Sequence, residues 1–279
     1  MYTIAIPSYN RSQSIKTKTL ALLDSYNIPH SLVKVFVKAD EVAKYRASLP
    51  EDIEVIEGTA GCIENRAAIR AYFPEGQNIC YIDDDIHSLW SICDQTELHI
   101  TCYQHDKKNL KEEYYKKQIR LPDLHKFLVD AFKQMEVEEA HLGGIYPICN
   151  GFFASHRVNL ALNYICGYFY LERNVKDIAL QGHQYAEDFE RSCIFYKRDG
   201  KVCRFEWVLA KSGFYKGEGD NGPGGLVESR TVERSKAAQE TLAGLYPEYV
   251  KVVPPTKGNK YWNLRIIKQK PTTPDASQI

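Results

Sequence analysis

Three consecutive aspartates, Asp83, Asp84 and Asp85, follow a short apolar run at residues 79–82 of the 279-residue chain. Adjacent carboxylates repel one another, so the arrangement needs a positive charge to offset it. Magnesium and manganese ions supply that charge, because they prefer hard oxygen ligands and usually bridge a substrate's phosphates. In extended backbone, residues i and i+2 point the same way, so Asp83 and Asp85 can share one site while Asp84 faces elsewhere. The triplet therefore indicates a divalent-cation site.

A solvated acidic turn is the alternative interpretation, with the aspartates capping a helix that begins near Ser88. Acidic side chains are common in such turns because they accept hydrogen bonds from nearby backbone N–H groups. The apolar run directly before the aspartates favours the metal site, since it predicts a buried strand that ends at the first carboxylate.

A second acidic pair, Glu187 and Asp188, stands at the start of a segment with helical spacing, residues 187–197. A carboxylate placed beside a hydroxyl group can act as a general base when that hydroxyl attacks a substrate. The alternative is that the pair only caps the helix, because negative charge is favoured near a helix N-terminus. The strand-end aspartates elsewhere in the chain favour the catalytic interpretation.

These acidic groups need a scaffold, and the first third of the sequence alternates between strand-like and helix-like segments. Alternation at this interval predicts a doubly wound, largely parallel sheet. Ligands of such sheets bind beyond the carboxyl ends of the strands, where the aspartates, residues 8–11 and residues 38–41 would lie. The predicted strands are residues 3–7, 33–37, 53–56 and 79–82, and the predicted helices are residues 17–25, 41–48 and 61–73.

The remaining sequence is less regular and contains one glycine-rich stretch, residues 213–225, with six glycines. We predict no regular structure there, and a mobile loop that closes over a bound ligand to exclude water. A flexible surface loop without a function is the alternative. The other predicted elements are helices at residues 122–135, 187–197 and 232–245 and strands at residues 142–148 and 201–210.

Composition and charge describe an ordinary globular protein, with 36 basic and 36 acidic side chains and a formal net charge of zero. The eight cysteines form no C-x-x-C pair, which favours reduced thiols in a cytosolic protein over a disulfide or zinc framework. No apolar stretch reaches the roughly 18 residues that span a bilayer, and no leader is recognisable. We therefore expect a cytoplasmic protein without a membrane partner.

Four segments together resemble the GT-A glycosyltransferases: "TIAIPSYNRSQSI", "GTAGCIENRAAIRAYF", "CYIDDDI" and "QYAEDFERSCIFYKRDGK". The resemblance implies an α/β GT-A fold, Rossmann-like, with a mixed, mainly parallel sheet flanked by helices. It also implies a UDP-sugar donor and a Mn²⁺ or Mg²⁺ ion on the D-x-D element. We expect one domain at residues 1–250, with the nucleotide-sugar half at residues 1–90, the acceptor and catalytic half at 91–250, and a basic C-terminal extension at 251–279.

The same resemblance assigns roles to individual residues. Asp188 would be the general base of an inverting reaction, with Glu187 beside it, and Asp85 and Asp83 would hold the metal. Asn65 and Arg66 match an Asn and an Arg near the donor, but in transposed order. The residues expected to bind the donor are Pro7, Ser8, Tyr9, Asn10, Arg11, Asp40, Asn65, Arg66, Asp83, Asp84, Gly224 and Gly225.

A narrower resemblance is to the TET/JBP-associated glycosyltransferases, which include the base J glucosyltransferase and bacteriophage relatives. It rests on "IPSYNR", "YIDDDI", "GGIYPICNG", "AEDFERS" and the terminal Gly-Gly loop, from about residue 3 to residue 226. It implies transfer of a sugar, with glucose the first candidate, to the hydroxymethyl group of hydroxymethylcytosine or hydroxymethyluracil in DNA. For a bacteriophage protein, the compartment would be the host cytoplasm.

Two basic stretches are compatible with a DNA partner. Residues 251–270 carry six basic and no acidic side chains, interleaved with Tyr261 and Trp262. Residues 107–120 carry six basic and two acidic side chains beside two tyrosines. Basic and aromatic side chains together suit a phosphate backbone and an unstacked base, although a solvated helix face and a disordered tail are the alternatives. A net charge of zero makes any DNA footprint local.

Other functions fit the same motifs. A glycosyltransferase acting on a glycan, lipid or protein would share the donor machinery and differ in its acceptor surface. A nucleotidyl- or phosphotransferase would use the aspartates for two metal ions and would not need Asp188. A non-catalytic DNA-binding module would need neither Asp85 nor Asp188.

Overall fold

The computed structural model describes residues 1–92, 118–181, 185–213, 231–258 and 260–272, and only the backbone of 218–219 and 222–223. Within these residues, ten strands form one sheet in the order β3-β2-β1-β4-β9-β7-β10-β5-β6, with β8 paired to β10. The strands of this sheet are β1 (Tyr2–Pro7), β2 (Val33–Val37), β3 (Glu54–Glu57), β4 (Asn78–Ile82), β5 (Ile86–Ser91), β6 (Ile119–Arg120), β7 (Leu142–Tyr146), β8 (Val158–Asn159), β9 (Phe169–Arg173) and β10 (Cys203–Ser212).

Strand direction makes the sheet mixed but mainly parallel. β1 pairs in parallel with β2 and β4, β2 with β3, and β7 with β10. β9 lies antiparallel between β4 and β7, and β5 lies antiparallel between β10 and β6. The carboxyl ends of β1, β4, β7 and β10 therefore lie along one edge of the sheet, as the sequence predicted for β1 and β4.

Helices cover both faces of the sheet because the central strands are apolar on both sides. In β1, Ile4 and Ile6 pack into one buried cluster while Ala5 packs into another on the opposite face. The predicted α/β class, a mixed and mainly parallel sheet flanked by helices, is confirmed. The helices are α1 (Ser12–Ile15), α2 (Ala21–Ser25), α3 (Val42–Ser48), α4 (Cys62–Tyr72), α5 (Leu124–Val137), α6 (Glu187–Asp199) and α7 (Val232–Leu245).

The first helical region differs from its prediction. It begins at Ser12 rather than residue 17, and a π-helical segment, Lys16–Leu20, joins α1 to α2. Short 3₁₀ turns, His30–Leu32 and Ala39–Glu41, precede β2 and α3. The two serines of α1 have weak helical propensity, which explains why the predicted helix began later.

The segment after the aspartates is a strand, so the alternative interpretation, with a helix beginning near Ser88, is wrong. Ile86 and Leu89 are fully buried, and β5 pairs with β10 through Trp90 and Leu209. An acidic turn that caps a helix is excluded at this position, since no helix follows it.

The C-terminal region folds against the domain rather than extending from it. Strands β13 (Val250–Val253) and β14 (Asn263–Ile266) form an antiparallel hairpin. Val250 and Leu264 pack with Leu242 of α7 in one buried cluster. The disordered-tail alternative is therefore wrong for these strands, and the division at residue 250 stays a prediction.

Two further sequence expectations meet the described residues. The six described cysteines are free, which agrees with the absence of a disulfide framework among them. In the glycine-rich stretch, β11 (Glu218–Gly219) and β12 (Gly222–Pro223) pair as a short antiparallel ladder, where no regular structure was expected. Gly224 and Gly225 lie outside the described residues. No helix within the described ranges is long and apolar enough to cross a membrane.

Candidate active site

The aspartate triplet and the turn after β1 meet at the carboxyl edge of the sheet, because β1 and β4 are parallel neighbours. Ser8 donates a hydrogen bond of 2.5 Å from Oγ to Oδ2 of Asp84. Arg11 donates one of 2.9 Å from Nη1 to Oδ1 of the same carboxylate. Asp84 is only 4% exposed, so it faces away from solvent, as its position between Asp83 and Asp85 predicted. Its role in this structure is to tie the two strand ends together.

A tyrosine on α3 forms hydrogen bonds with the same turn. The Tyr45 hydroxyl lies 2.7 Å from Ser8 Oγ and accepts a 2.9 Å hydrogen bond from the Arg11 backbone N–H. Tyr45 is fully buried, and burial raises the pKa of its phenol, so the group stays neutral. Nothing in the sequence marked this residue, since its partners are more than thirty positions away.

Asp83 and Asp85 retain accessible oxygens. The Asp83 side chain is 36% exposed and the Asp85 side chain is 15% exposed. Burial raises the pKa of both carboxyls, against the opposing effects of Arg66 on Asp83 and of Arg11 and Lys18 on Asp85. Their ionised forms therefore gain from a further cation.

The donor set fits magnesium or manganese. Within the described residues, no group of three or more His, Cys, Asp or Glu side chains could hold a metal ion. Mg²⁺ does not require such a cage, because it is usually bound by one or two carboxylates, several waters and the substrate's phosphates. Asp85 and Asp83 can supply the two carboxylates, so the residues present fit the implied ion.

Arg66 connects this carboxylate site to the start of α6. Its Nη2 lies 3.2 Å from Asp83 Oδ1 and donates a 3.0 Å hydrogen bond to the Gly167 carbonyl. Its Nε lies 3.5 Å from Oε1 of Glu187 at the start of α6. Arg66 is 4% exposed, so it holds Asp83 in place instead of presenting its guanidinium to solvent.

Glu187 is a buried partner of two arginines. Besides Arg66, it accepts a 2.5 Å hydrogen bond from Nη1 of Arg191, one helical turn further along. Arg191 is fully buried, and its guanidinium carbon lies 3.8 Å from the ring centroid of Tyr170. With 5% exposure and both oxygens engaged by cations, Glu187 positions these groups and is not available to an acceptor.

Asp188 has a different environment from its neighbour. The Tyr164 hydroxyl donates a 2.5 Å hydrogen bond to Oδ2, and the Phe189 backbone N–H donates one of 3.0 Å to Oδ1. Asp188 is only partly buried. Burial and then the charge of Glu187 raise the pKa of Asp188, while the Tyr164 hydrogen bond opposes the shift. A fixed carboxylate with a raised pKa suits a general base.

One five-residue segment, residues 164–168, links Asp188 to Asp83. Tyr164 bonds to Asp188 at one end, and the Tyr168 carbonyl accepts a 2.9 Å hydrogen bond from the Asp83 backbone N–H at the other. Between them, Gly167 lies so close to the ion-paired groups that an added Cβ would be 2.7 Å from Glu187 Oε1. No functional role was predicted for this segment, whose sequence signal is a glycine inside an aromatic run.

The other predicted donor residues lie at the same edge with different exposures. Pro7 is the last residue of β1, and Tyr9 is 45% exposed. Asn10 has a left-handed backbone (φ 53°), and its N–H donates to Oε1 of Glu41 at 2.8 Å. Asp40 is exposed and pairs with a neighbouring lysine. Of these residues, Tyr9 and Asp40 are exposed and therefore accessible to a ligand.

Asn65 is a structural residue of the same region. It is 6% exposed, its Nδ2 donates to the Phe36 carbonyl at 3.2 Å, and its Oδ1 accepts from the Thr59 N–H at 3.2 Å. A Cβ at Gly58 would lie 2.0 Å from that oxygen, so the contact requires glycine there. The amide thereby joins the end of β2 to the loop before α4.

Comparison with known proteins gives fold-level similarity only. No protein-family model and no curated protein matches the chain. S. aureus TarS 1–349 in complex with UDP-GlcNAc is 16% identical, with a TM-score of 0.47, covering 87% of this chain and 66% of that one. Glucosyl-3-phosphoglycerate synthase from Mycobacterium tuberculosis with Mn²⁺, UDP and phosphoglyceric acid is 9% identical, with a TM-score of 0.45, covering 97% and 89%. Mannosyltransferase PcManGT from Pyrobaculum calidifontis with GDP-Man and Mn²⁺ is 12% identical, with a TM-score of 0.39, covering 77% and 58%.

Proposed function

We propose that the protein is a metal-dependent, inverting glycosyltransferase that uses a UDP-sugar. The observation that carries the proposal is the link between Asp83 and Asp188 through residues 164–168. Both residues are hydrogen-bonded to this one segment but differ in surroundings, because the carboxylate of Asp83 is held by Arg66 and that of Asp188 by a tyrosine. The motif resemblance to GT-A enzymes adds independent support.

On the donor side, Asp85 and Asp83 would hold Mn²⁺ or Mg²⁺. When bound, that ion neutralises charge on the diphosphate as it leaves. The chain's own contribution is to orient these carboxylates, through Arg66 on Asp83 and through the buried Ser8–Asp84 hydrogen bond on the neighbouring backbone. Tyr9 is exposed at the same edge and can contact the base of the nucleotide.

On the acceptor side, Asp188 would accept the proton of the attacking hydroxyl. A bond forms between the acceptor oxygen and the anomeric carbon while the bond to the UDP oxygen breaks, and the hydroxyl proton moves to a carboxylate oxygen of Asp188. Its Oδ2 already accepts a hydrogen bond from Tyr164, which fixes the carboxylate before the reaction. A single displacement of this kind inverts the anomeric configuration.

For the acceptor, the hydroxymethyl group of a modified pyrimidine in DNA is the candidate, with glucose as the transferred sugar. The resemblance to TET/JBP-associated enzymes supports it, as do the exposed basic side chains of the C-terminal hairpin, where Lys251 lies opposite Arg265. A bacteriophage enzyme of this kind would act in the host cytoplasm. A glycan, lipid or protein acceptor would leave the donor side unchanged.

One incubation separates these possibilities. The protein, Mn²⁺ and radiolabelled UDP-glucose, with other UDP-sugars in parallel, are mixed with hydroxymethylated or plain DNA. We expect label only in the hydroxymethylated DNA, and none with Asp188→Asn as the matched control. Equal labelling of plain DNA would overturn the hydroxymethyl group as the acceptor. Donor hydrolysis without any labelling of DNA would overturn DNA as the acceptor, and no reaction of any UDP-sugar would overturn the donor.

A further inference from the structure

The sheet end formed by β10, β5 and β6 carries two exposed cations beside one indole. Arg120, the cross-strand partner of Trp90, has its guanidinium carbon 4.4 Å from the ring centroid. The Nζ of Lys211 on β10 lies 5.6 Å from the same centroid. We call Arg120, Lys211 and Trp90 the basic edge.

Both cations of the basic edge are exposed, Arg120 on β6 and Lys211 on β10. Among the residues that the structure describes, neither Arg120 nor Lys211 forms an ion pair with a carboxylate. An exposed cation–π contact contributes only about 0.5–1 kcal/mol, and two like charges beside one ring repel each other. A concentration of positive charge without a partner is typical of a surface that binds an anionic ligand.

The basic edge adjoins the carboxylate site. β5 begins immediately after Asp85, and the N–H of Gly213, which follows β10, donates a 3.3 Å hydrogen bond to the Asp85 carbonyl. A Cβ built on Gly213 would lie 3.4 Å from both Asp85 Oδ2 and Lys18 Nζ. Positive side chains therefore extend from the metal-side carboxylate outward along the sheet.

An exposed aromatic turn follows β7, which pairs with β10. We give this name to residues 148–154, which follow β7 at the carboxyl edge of the sheet. Phe152 and Phe153 are 66% and 56% exposed, and their rings pack edge to face at 5.1 Å. The side chain of Asn150 fixes the turn by accepting a 3.0 Å hydrogen bond from the Phe152 N–H.

A hydrogen bond joins the aromatic turn to the residue directly before β6. Gln118, two residues before Arg120, donates a 3.6 Å hydrogen bond to Sγ of Cys149. Burial raises the pKa of the Cys149 thiol, while the Gln118 hydrogen bond and the charges of Lys211 and Arg120 oppose that shift. Two exposed phenyl rings and two exposed cations on neighbouring parts of one sheet match the needs of a single nucleic-acid strand, whose phosphates are anionic and whose bases stack on aromatic rings.

We propose that the basic edge and the aromatic turn together bind an unpaired stretch of nucleic acid next to the catalytic carboxylates. Arg120 and Lys211 contact its phosphates, and Phe152 and Phe153 stack on its bases. This inference rests on the proposed function for the identity of the acceptor, and it adds that the strand is bound in unpaired form. A duplex would bury its bases and leave the two phenyl rings without partners.

The charge component is tested by binding a short fluorescent single-stranded oligonucleotide, measured by anisotropy over a series of salt concentrations and without donor. The variant Arg120→Gln/Lys211→Gln removes two charges from the basic edge, and the matched control Lys133→Gln/Lys197→Gln removes two exposed charges from α5 and α6. We expect only the first to weaken binding, roughly tenfold or more at low salt, and to lower the salt slope by roughly 0.7 per lost contact. Arg120→Lys/Lys211→Arg keeps the charge and should retain the slope.

The aromatic component is tested with Phe152→Leu/Phe153→Leu, which keeps apolar area but removes the rings. Binding of the normal oligonucleotide should weaken by roughly fivefold or more, while an abasic oligonucleotide of equal length should bind variant and wild type alike. Unchanged binding in both the charge and the aromatic variants, or equal weakening by Lys133→Gln/Lys197→Gln, would overturn the surface. Tighter binding of the matching duplex would overturn the unpaired form.

Failure of this surface and failure of the proposed function give different results. The wild-type protein could transfer sugar to DNA while the double variant Arg120→Gln/Lys211→Gln binds the oligonucleotide as tightly as the wild type. In that case the proposed surface is wrong and the proposed function stands. If the oligonucleotide binds as expected but no UDP-sugar is ever transferred, the proposed function is wrong and the surface stands.

Discussion

The hydroxyl of Tyr164 donates a 2.5 Å hydrogen bond to Oδ2 of Asp188, across 24 positions of sequence. The Tyr164 ring packs against Phe189 at 4.3 Å, so the phenol is fixed by packing and not only by its hydrogen bond. Asp188 therefore has one orientation before any acceptor arrives. Removing the base and removing its support should give different kinetic results.

Asp188→Asn keeps the shape of the side chain but removes the base. We expect turnover to fall by roughly a hundredfold or more, the scale typical of general-base loss. Donor and acceptor affinity should stay nearly unchanged, because only the transition state uses the proton transfer. Steady-state kinetics test this, and NMR of the product should show an inverted anomeric configuration. Near-normal turnover, or retention, would show that the base lies elsewhere.

Tyr164→Phe removes one hydrogen bond to an ionised carboxylate. Burial and Glu187 raise the pKa of Asp188, and the Tyr164 hydrogen bond acts in the opposite direction. Without the hydroxyl, the pKa should rise further, and activity that requires the ionised base should appear only at higher pH. The pH–rate profile should therefore shift its acidic limb upward, with turnover near neutral pH reduced about threefold to thirtyfold.

A surface tyrosine provides the control for that measurement. Tyr72→Phe removes a hydroxyl that is exposed on α4 and should leave the profile in place. A Tyr164→Phe profile that overlays the wild type, at any level of turnover, would show that the hydrogen bond does not tune Asp188.

The strand-end aspartates should separate by role. Asp85→Ala, like excess EDTA on the wild type, should abolish transfer while the unfolding midpoint stays close to normal, because the side chain faces the site. Asp84→Ala should instead destabilise the fold by about 3 kcal/mol, since it leaves Arg11 and Ser8 without their buried partner. Calorimetric unfolding and a transfer assay with added Mn²⁺ measure both. Full activity in EDTA would contradict the metal site.

The buried carboxylate of Glu206 should make a pH-dependent contribution to the stability of the fold. Burial opposes its ionisation, but hydrogen bonds from Ser155 and Arg204, with Arg157, lower its pKa to about 2. A depressed carboxyl pKa stabilises the fold above the unfolded value, near 4.5, and this contribution is lost as pH falls towards 2. Glu206→Gln should therefore cost about 3 kcal/mol of unfolding free energy at pH 7 and progressively less below pH 4.5. An equal loss at pH 7 and pH 3 would refute the assignment.

Local pattern was sufficient for much of the framework. The predicted bounds of β2 and α7 coincide with the observed ones, because a run of branched apolar residues and a capped helix are both local signals. The N-cap Thr231 accepts a hydrogen bond from the Arg234 N–H, as its position before the helix indicates. The alternation of side chains also placed Asp84 away from its two neighbours.

Roles that depend on buried pairing could not be predicted. Arg66 was expected at the donor, yet its guanidinium contacts Asp83, Gly167 and Glu187, which lie up to 121 positions away in sequence. The same holds for the bidentate pair of Arg70 with Glu172, 102 positions apart. Sequence spacing identifies which residues are ionisable, but only the folded chain decides which of them reach solvent.

The missing side chain of Gly167 has a consequence for the divergence and redesign of such proteins. A methyl group there would press on Glu187 and lie 3.5 Å from Arg66 Nη2, and through these two residues it would move the supports of both carboxylate sites together. A substitution at position 167 would therefore disturb the carboxylates near Asp83 and near Asp188 together. A search for variants of the proposed enzyme that use a new acceptor should therefore keep Gly167 and place its mutations outside residues 164–168.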